Sequence, residues 1–211
     1  MFPKVFPVLI AALSAYLLGN LNGSVCISAL FAHDDVRKHG SGNAGLTNFF
    51  RSYGGWSTLL VILVDVLKTA LACYGAGLML LPYGAYREGL MLGALGVSLG
   101  HDFPALLGFR GGKGILSGFA VALIMDWRIG LIIFAVFVIT FAISRYVSLG
   151  SVLGALALSV CFVIFHHDNL FVMIGGILLG ALAIFMHRTN LKRLFQGAEA
   201  KVHLIHKDEN V

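Results

Sequence analysis

Apolar residues follow one another along this chain in seven long runs that short polar segments separate. A helix that crosses a membrane needs about 20 mainly apolar residues, and five of the runs reach or approach that length. Inside lipid every backbone N–H and C=O group must be paired within the protein. Because the runs are continuous rather than alternating, they favour helices over a barrel. The pattern therefore predicts an all-α integral membrane protein with about seven transmembrane helices. The runs cover residues 5–31, 56–81, 83–100, 114–125, 129–143, 148–165 and 170–186.

Two of these runs are short. Segments 114–125 and 129–143 fit either a short crossing each or the two halves of a re-entrant hairpin, and the sequence leaves that choice open. The first run is longer than the roughly 7–15 apolar residues of a signal peptide, so we expect it to be a retained helix. Since the polar residues are scattered among connections, we predict a single transmembrane domain over residues 1–211.

Composition supports a membrane protein and excludes other classes. Hydrophobic residues make up 58% of the chain and charged residues 12%, against about 45–50% and about 25% in a typical soluble domain. The three cysteines have no metal-ligand spacing and are interpreted as reduced core residues. We expect no metal ion and no cofactor. Nucleic acid is also an unsuitable partner, because no dense Lys/Arg stripe lies beside aromatic residues.

The basic residues predict the orientation in the membrane, since Lys and Arg are enriched on the cytoplasmic side. With seven crossings and the N-terminus outside, eleven of the fifteen Lys and Arg residues fall on the inner side and three on the outer side, while Lys68 lies within the second run. We therefore expect a cytoplasmic C-terminus and an active site at the cytoplasmic face. A hairpin at 114–125 and 129–143 would leave the same loops inside.

The first inner loop carries a glycine-rich polar motif. Glycines let backbone N–H groups converge on an anion, hydroxyl and amide side chains add donors, and an arginine can hold a phosphate through two parallel hydrogen bonds. A flexible turn between helices is the alternative for the glycines alone. The whole motif favours phosphate binding, with the candidate residues Gly40, Ser41, Gly42, Asn43, Gly45, Thr47, Asn48 and Arg51.

The second inner loop ends in a glycine-rich run with one lysine, at the start of the fourth apolar segment. A helix N-terminus attracts anions through its unpaired N–H groups and its dipole, and the lysine adds a full charge. The spacing is not that of a Walker A loop, because Leu107 occupies the place of its first glycine and a glycine replaces its Ser/Thr. The candidate residues are Gly111, Gly112, Lys113 and Gly114.

Two further inner segments carry polar side chains at helical spacing. Ser148 and Ser151 are three residues apart and share a face at the start of the sixth run, where helix capping is the alternative interpretation. His187 and Asn190 have the same spacing after the seventh run and can converge on one ligand. A basic stretch that holds lipid headgroups also fits there. Histidine can transfer a proton near neutral pH.

Three other polar groups are assigned structural roles. Asp65 and Lys68 lie three residues apart within the second run. Because charges at membrane depth usually pair or serve function, we expect an ion pair that supports the site. His101 and Asp102 are interpreted as a structural pair at the membrane surface. The His-His-Asp-Asn segment at 166–169 falls in an outer connection and is interpreted as a linker.

Taken together, these motifs resemble those of the bacterial acyl-phosphate:glycerol-3-phosphate acyltransferases, an integral membrane family of phospholipid synthesis. The resemblance covers nearly the whole chain, and the motifs occur in the family's order. The segments that carry it are 40–51, 65–68, 100–114, 145–151 and 187–199. The sequence departs from the family's usual residues at three positions, and none of these departures removes a proposed donor. Ala44 stands where the family often has Pro, Leu46 where it usually has Ala, and Arg110 where it often has Lys.

The resemblance implies a seven-helix enzyme that transfers a fatty acyl group from acyl phosphate to glycerol 3-phosphate, forming lysophosphatidic acid and inorganic phosphate. We expect a monomer in the bacterial inner membrane, whose partners are both substrates and membrane lipids. Acyl phosphate is already activated, so no covalent nucleophile is required, and the hydroxyl proton passes to a substrate phosphate or to His187. The catalytic positions that match are Ser41, Arg51, Lys113, His187 and Asn190. The substrate-binding positions that match are Gly40, Gly42, Asn43, Gly45, Thr47, Asn48, Gly111, Gly112, Gly114, Ser148 and Ser151.

Two other classes of protein stay open. An organic-phosphate transporter also fits helices with basic inner loops, but the motifs crowd one face and no charge clearly lies at mid-membrane. A Mg²⁺-dependent phosphotransferase usually needs several close carboxylates, whereas Asp34, Asp35 and Asp102 form no compact motif. His203 and Asp208 have the His-x4-Asp spacing of other glycerolipid acyltransferases. Their polar context favours chance, so no thioester donor is inferred.

Overall fold

The computed structural model describes residues 5–202, and within that range the longer regular elements are α-helices. All seven apolar runs are helical, which confirms the predicted fold class. His203 and Asp208 lie outside the described residues. The helices are α1 Val5–Gly19, α2 Gly23–Ala32, α3 Leu46–Tyr53, α4 Ser57–Leu80, α5 Tyr86–Asp102, α6 Ile115–Met125, α7 Trp127–Ser144, α8 Val147–Phe165, α9 Leu170–Met186 and α10 Arg188–Phe195.

The helices differ in how much of a membrane they can cross. By length and composition α4, α5, α7 and α8 can each span it, and the count rises to six if the bent pairs α1 with α2 and α9 with α10 each form one span. The fourth run gives only the 11 residues of α6, about 16 Å at 1.5 Å per residue. The hydrocarbon core is about 30 Å thick. The helix of the fourth run is therefore too short to span the hydrocarbon core by itself, whereas the fifth run, α7, has a spanning length.

The first run is not one continuous helix. It bends by 41° between α1 and α2, and the polar groups freed at the break find partners. Asn22 caps α2 by accepting from the Val25 N–H at 3.1 Å, and its amide donates to the Ala44 carbonyl at 3.0 Å. Lys68 on α4 donates to the Leu21 carbonyl at 2.7 Å. Specific hydrogen bonds thus stabilise the break, and the length of the apolar run alone does not reveal it.

Small residues hold the helices together. In the first half α4 and α5 pack along each other and α1 lies against both; in the second half α7, α8 and α9 pack in chain order, and α5 contacts α9. A Cβ on Gly93 or Gly100 of α5, or on Gly180 of α9, would collide with the backbone of a neighbouring helix. This is the close approach that small residues permit in membranes. Gly75 is different, since among the described residues nothing lies within 4 Å of its Cβ position.

The end of α8 and the start of α9 are tied to the start of α5. Arg87 forms an ion pair with Asp168 at 2.6 Å and also contacts His166 Nδ1 at 3.0 Å. Asn169 caps α9 and its amide donates to Glu88 at 2.7 Å. The linker role expected for residues 166–169 agrees with these contacts.

Candidate active site

The polar motifs meet at one cavity of about 740 Å³, whose lining does not include the 166–169 linker. Its polar part draws on all four inner segments. Of the residues predicted from the sequence, those that line it are Ser41, Asn43, Gly45, Thr47, Asn48, Arg51, Lys113, Gly114, Ser148, Ser151, His187 and Asn190. The other four predicted residues do not line it, and they are Gly40, Gly42, Gly111 and Gly112.

The first loop is positioned by α3, which packs on α2 and α4 through the buried side chains of Ile27, Phe49 and Val61. Gly40 and Gly42 have left-handed backbones, with φ of 53° and 70°, a conformation that favours glycine. These two glycines therefore shape the loop, and the substrate-binding roles expected for them from the sequence stay predictions.

Asn48 organises the same loop from beneath. Its buried side-chain nitrogen lies 3.0 Å from each of the carbonyl oxygens of Val36, His39 and Asn43, which share its two N–H donors. Its carbonyl oxygen accepts from the Ser41 N–H at 2.9 Å. These bonds occupy every polar atom of the side chain. Asn48 therefore supports the loop that presents Ser41, and because it also lines the cavity, the substrate-binding role expected from the sequence stays a prediction.

The second loop lies tightly over the end of α5. The Gly112 N–H donates to the His101 carbonyl at 3.1 Å, and a Cβ on Gly112 would collide with the His101 ring, while one on Gly111 would collide with the His101 carbonyl. Gly111 and Gly112 thus pack closely on the end of α5, and the ligand roles expected for them from the sequence stay predictions. Their small size allows the loop to carry Lys113 into the cavity.

Arg37 joins the two loops. Its guanidinium donates to the Leu107 carbonyl at 2.8 Å and forms an ion pair with Asp35, also at 2.8 Å. Sequence reasoning counted Arg37 only as an inner basic residue. No motif spacing marks a contact between residues 70 positions apart.

Lys113 is the first member of a chain of polar contacts across the cavity mouth. Its ammonium contacts the Asn190 side-chain oxygen, the Asn190 amide donates to Glu199 at 2.7 Å, and Arg193 donates to the other Glu199 oxygen at 2.7 Å. Sequence reasoning placed Glu199 inside the fourth motif but gave it no role. One feature of the sequence could have drawn attention to Glu199: it is the one carboxylate of the 187–199 motif, whose other charged residues are basic.

Two of these groups lie outside the spanning helices and have shifted pKa values. Burial lowers the pKa of Lys113 below 10.5, the positive charges of Arg193 and Arg51 act in the same direction, and Glu199 opposes them. Burial raises the pKa of Glu199, but the hydrogen bonds from Asn190 and Arg193 outweigh it and hold that pKa below its usual value. The mouth therefore combines an anion held as a carboxylate with several cations.

His187 has a defined tautomer. Its Nδ1 lies 2.8 Å from the Ala183 carbonyl. Because a carbonyl oxygen only accepts hydrogen bonds, Nδ1 carries the proton in the neutral ring, which leaves a lone pair on Nε2. His187 also lines the cavity, so its ring has an acceptor available for a bound hydroxyl.

A buried ionic network lies below the second loop. Lys68 forms the predicted ion pair with Asp65 at 2.7 Å and also donates to His101 Nδ1 at 2.8 Å. The expected pairing of His101 with Asp102 is wrong, because His101 is held by Lys68. Within residues 5–202 the buried Asp102 Oδ1 has no hydrogen-bond partner. The network thus fixes the ring against which Gly112 packs.

Beyond its polar mouth the cavity continues as an apolar arm between α6, α7, α8 and α9. Phe119, Phe134 and Phe137 line it from α6 and α7, and the buried side chains of Leu158 and Leu179 line it from α8 and α9. A site of this kind suits an amphipathic ligand with an anionic head and an apolar tail.

The comparisons with known proteins agree with this arrangement. The family model described as glycerol-3-phosphate acyltransferase matches residues 9–197. The glycerol-3-phosphate acyltransferase of Finegoldia magna is 37% identical over 196 residues, 92% of this chain and 96% of that protein. The enzyme of the same name from Clostridioides difficile is 38% identical over 205 residues, 94% and 97% of the two chains.

Two solved structures have the same fold. Both are crystal structures of PlsY, an integral membrane glycerol 3-phosphate acyltransferase. The glycerol 3-phosphate form is 32% identical with a TM-score of 0.81, covering 93% of this chain and 96% of that one. The lysophosphatidic acid form is 30% identical with a TM-score of 0.79, covering 93% and 95%. The chain therefore belongs to the glycerol-3-phosphate acyltransferase family.

Proposed function

We propose that this acyltransferase uses acyl phosphate as its donor and forms lysophosphatidic acid and inorganic phosphate from glycerol 3-phosphate. The observation that carries the proposal is the continuity of a cationic mouth with an apolar arm in one cavity. Both substrates carry a phosphate, and the donor also carries a fatty chain. A single cavity with these two parts can hold the acyl carbon at their boundary, next to the acceptor hydroxyl.

The anionic groups are assigned to the mouth. Ser41, Thr47 and Arg51 hold one phosphate together with the N-terminus of α3, whose dipole and free N–H groups favour an anion. Lys113, placed by the second loop, neutralises charge that develops on the acyl carbonyl oxygen and on the departing phosphate. Asn190 keeps Lys113 in position, and Ser148 and Ser151 complete the wall.

The chemistry requires no covalent enzyme intermediate. The glycerol 3-phosphate hydroxyl oxygen attacks the acyl carbonyl carbon and forms the ester bond, and the bond between that carbon and the phosphate oxygen breaks. The hydroxyl proton passes either to Nε2 of His187 or to a phosphate oxygen. Inorganic phosphate leaves with the electron pair of the broken bond. We further propose that the protein works as a monomer in the bacterial inner membrane, because one chain supplies both parts of the cavity.

The first prediction concerns the reaction itself. Purified protein in lipid or mild detergent is given palmitoyl phosphate and glycerol 3-phosphate, and phosphate release is followed together with lysophosphatidic acid formation. We expect release that needs both substrates, survives EDTA and does not occur with palmitoyl-CoA as the donor. Arg51→Ala should abolish it. Arg128→Ala is the matched control, because Arg128 is exposed, does not line the cavity, and contacts Asp126 and the Phe165 ring instead.

The outcomes separate the alternatives. No phosphate release from folded protein would refute the acyl-phosphate donor, and activity with palmitoyl-CoA instead would assign a thioester donor. Loss of activity with EDTA would move the chemistry toward a metal-dependent transferase.

A further inference from the structure

Two helical glycines face the apolar arm without a packing reason to be glycine. Gly118 of α6 and Gly154 of α8 both line the cavity. Among the described residues no heavy atom lies within 4 Å of a Cβ at Gly118, and the only one near Gly154 is the Ile133 carbonyl oxygen at 3.6 Å. An alanine would fit at either position.

This openness is unusual among the helix glycines of the chain. Cβ atoms on Gly93 and Gly180 would collide with a neighbouring backbone, and one on Gly176 would collide with the Phe162 ring, so helix contacts require glycine there. Glycine is a poorer helix former than alanine. At Gly118 and Gly154 that cost has no compensating contact within the described chain, and unlike the exposed Gly75 both positions line the cavity. The combination of an open Cβ position and a place in the cavity wall indicates that the space serves a ligand.

Both glycines lie one helical turn beyond the polar mouth. Gly118 follows Gly114 by four residues and Gly154 follows Ser151 by three, and both of these lining residues belong to the polar motifs. At about 1.5 Å per residue, each glycine is about 4.5–6 Å further along its helix. They therefore flank the arm near its entrance, with Leu158 one more turn along α8.

We propose that Gly118 and Gly154 form the neck through which the long acyl chain of the donor enters the apolar arm, and that their lack of side chains determines which acyl groups the enzyme accepts. The inference rests on the proposed acyl-phosphate function and adds its chain-length determinant. A side chain at the neck leaves the mouth intact, so glycerol 3-phosphate binding is unchanged. A long acyl chain, in contrast, loses its path.

The test replaces Gly118 by Ala, Val and Leu, and Gly154 by Ala and Leu. For each variant kcat/KM is measured with saturating glycerol 3-phosphate and a series of acyl phosphates from butyryl to palmitoyl. We expect the profile to move toward shorter chains in the order of side-chain size. For Gly118→Leu the ratio of long-chain to short-chain kcat/KM should fall roughly 10- to 200-fold, the discrimination that small changes in an apolar pocket produce. The KM for glycerol 3-phosphate should stay the same.

Gly75→Leu is the matched control, because Gly75 is also a helical glycine with an open Cβ position but is exposed away from the cavity. It should keep the wild-type profile. If Gly118→Leu has the wild-type dependence of kcat/KM on acyl-chain length, or loses kcat/KM equally at every chain length, the assignment of the neck is overturned. If a leucine variant unfolds, the alanine variants decide, since their Cβ atoms meet no clash. If the wild-type protein uses none of the acyl phosphates, the proposed function is refuted as well. That result differs from normal activity with an unchanged dependence on chain length, which refutes only the neck.

Discussion

At the scale of single residues, Lys113 is the cation to which we assign stabilisation of the negative charge that develops in the reaction. Its ammonium is partly buried, contacts Asn190 and lies near the charges of Arg51 and Arg193. These surroundings lower its pKa, so its proton is lost at a lower pH than that of an exposed lysine. The charged form is the one that stabilises a departing phosphate.

This leads to a prediction for pH dependence. We expect kcat/KM to fall as pH rises through the lowered pKa of Lys113, since deprotonation removes the positive charge. In Lys113→Arg the guanidinium keeps its proton to above about pH 12, so this alkaline limb should move to higher pH even if the maximal rate is reduced. Profiles of kcat/KM report the free enzyme and are the measurement required. An alkaline limb at the same pH in both proteins would contradict the assignment.

The residues that could be predicted are those whose chemistry is visible in the motif. Arg51, Lys113 and His187 carry groups that bind phosphate or move protons wherever they occur in an inner loop, and the structure brings all three to the cavity. Asn48 and Glu199 could not be assigned in this way, because their roles depend on which polar groups the fold places beside them. Spacing shows that a donor exists, but only the folded chain shows where the donor points.

At the scale of elements, the break between α1 and α2 depends on the ionic network of α4. Lys68 pairs with Asp65 and donates to the Leu21 carbonyl, while Asp65 accepts from the Gly23 N–H at 3.1 Å. One buried ion pair therefore satisfies backbone groups on both sides of the bend. Apolar periodicity could predict helices on either side of residues 20–22, but not this long-range support.

We expect Lys68→Met to destabilise the protein by about 3–5 kcal/mol, because it leaves the Asp65 carboxylate buried without its partner. Thermal or denaturant unfolding in detergent measures the effect. The double variant Asp65→Asn with Lys68→Met should cost less than the sum of the two single changes, yet it should not reach wild-type stability, since the Leu21 carbonyl still lacks its donor. Lys38→Met, at an exposed position, is the control. Strictly additive losses would show that the pair is not coupled.

At the scale of the whole molecule, the polar motifs and most inner basic residues gather at one end of the helices. Because Lys and Arg are enriched on the cytoplasmic side, we predict that the cavity mouth faces the cytoplasm and that the 166–169 linker faces outward. The fold class could be predicted because lipid restricts a spanning chain to a few structures. The number of full crossings could not, since α6 is apolar but half the required length.

Cysteine labelling tests this orientation. In a variant without Cys26, Cys73 and Cys161, a single cysteine is placed by His167→Cys or by Gln196→Cys, both at exposed positions. A membrane-impermeant maleimide should label the first variant in intact cells and the second only after lysis. The reverse pattern would place the cavity mouth on the outer side and refute a cytoplasmic active site.

The contact chain from Lys113 through Asn190 to Glu199 also has a consequence for biosynthesis. The segment after α10 is fastened back onto the loop between α7 and α8, where the Val202 N–H donates to the Arg145 carbonyl at 3.0 Å. The ribosome therefore synthesises every spanning helix before it adds Glu199, the carboxylate that completes the mouth. Until translation passes residue 199, the nascent chain is an anchored bundle with an apolar arm and an unfinished mouth. We therefore expect acyl transfer to begin only after the segment that carries Glu199 has joined the folded helices.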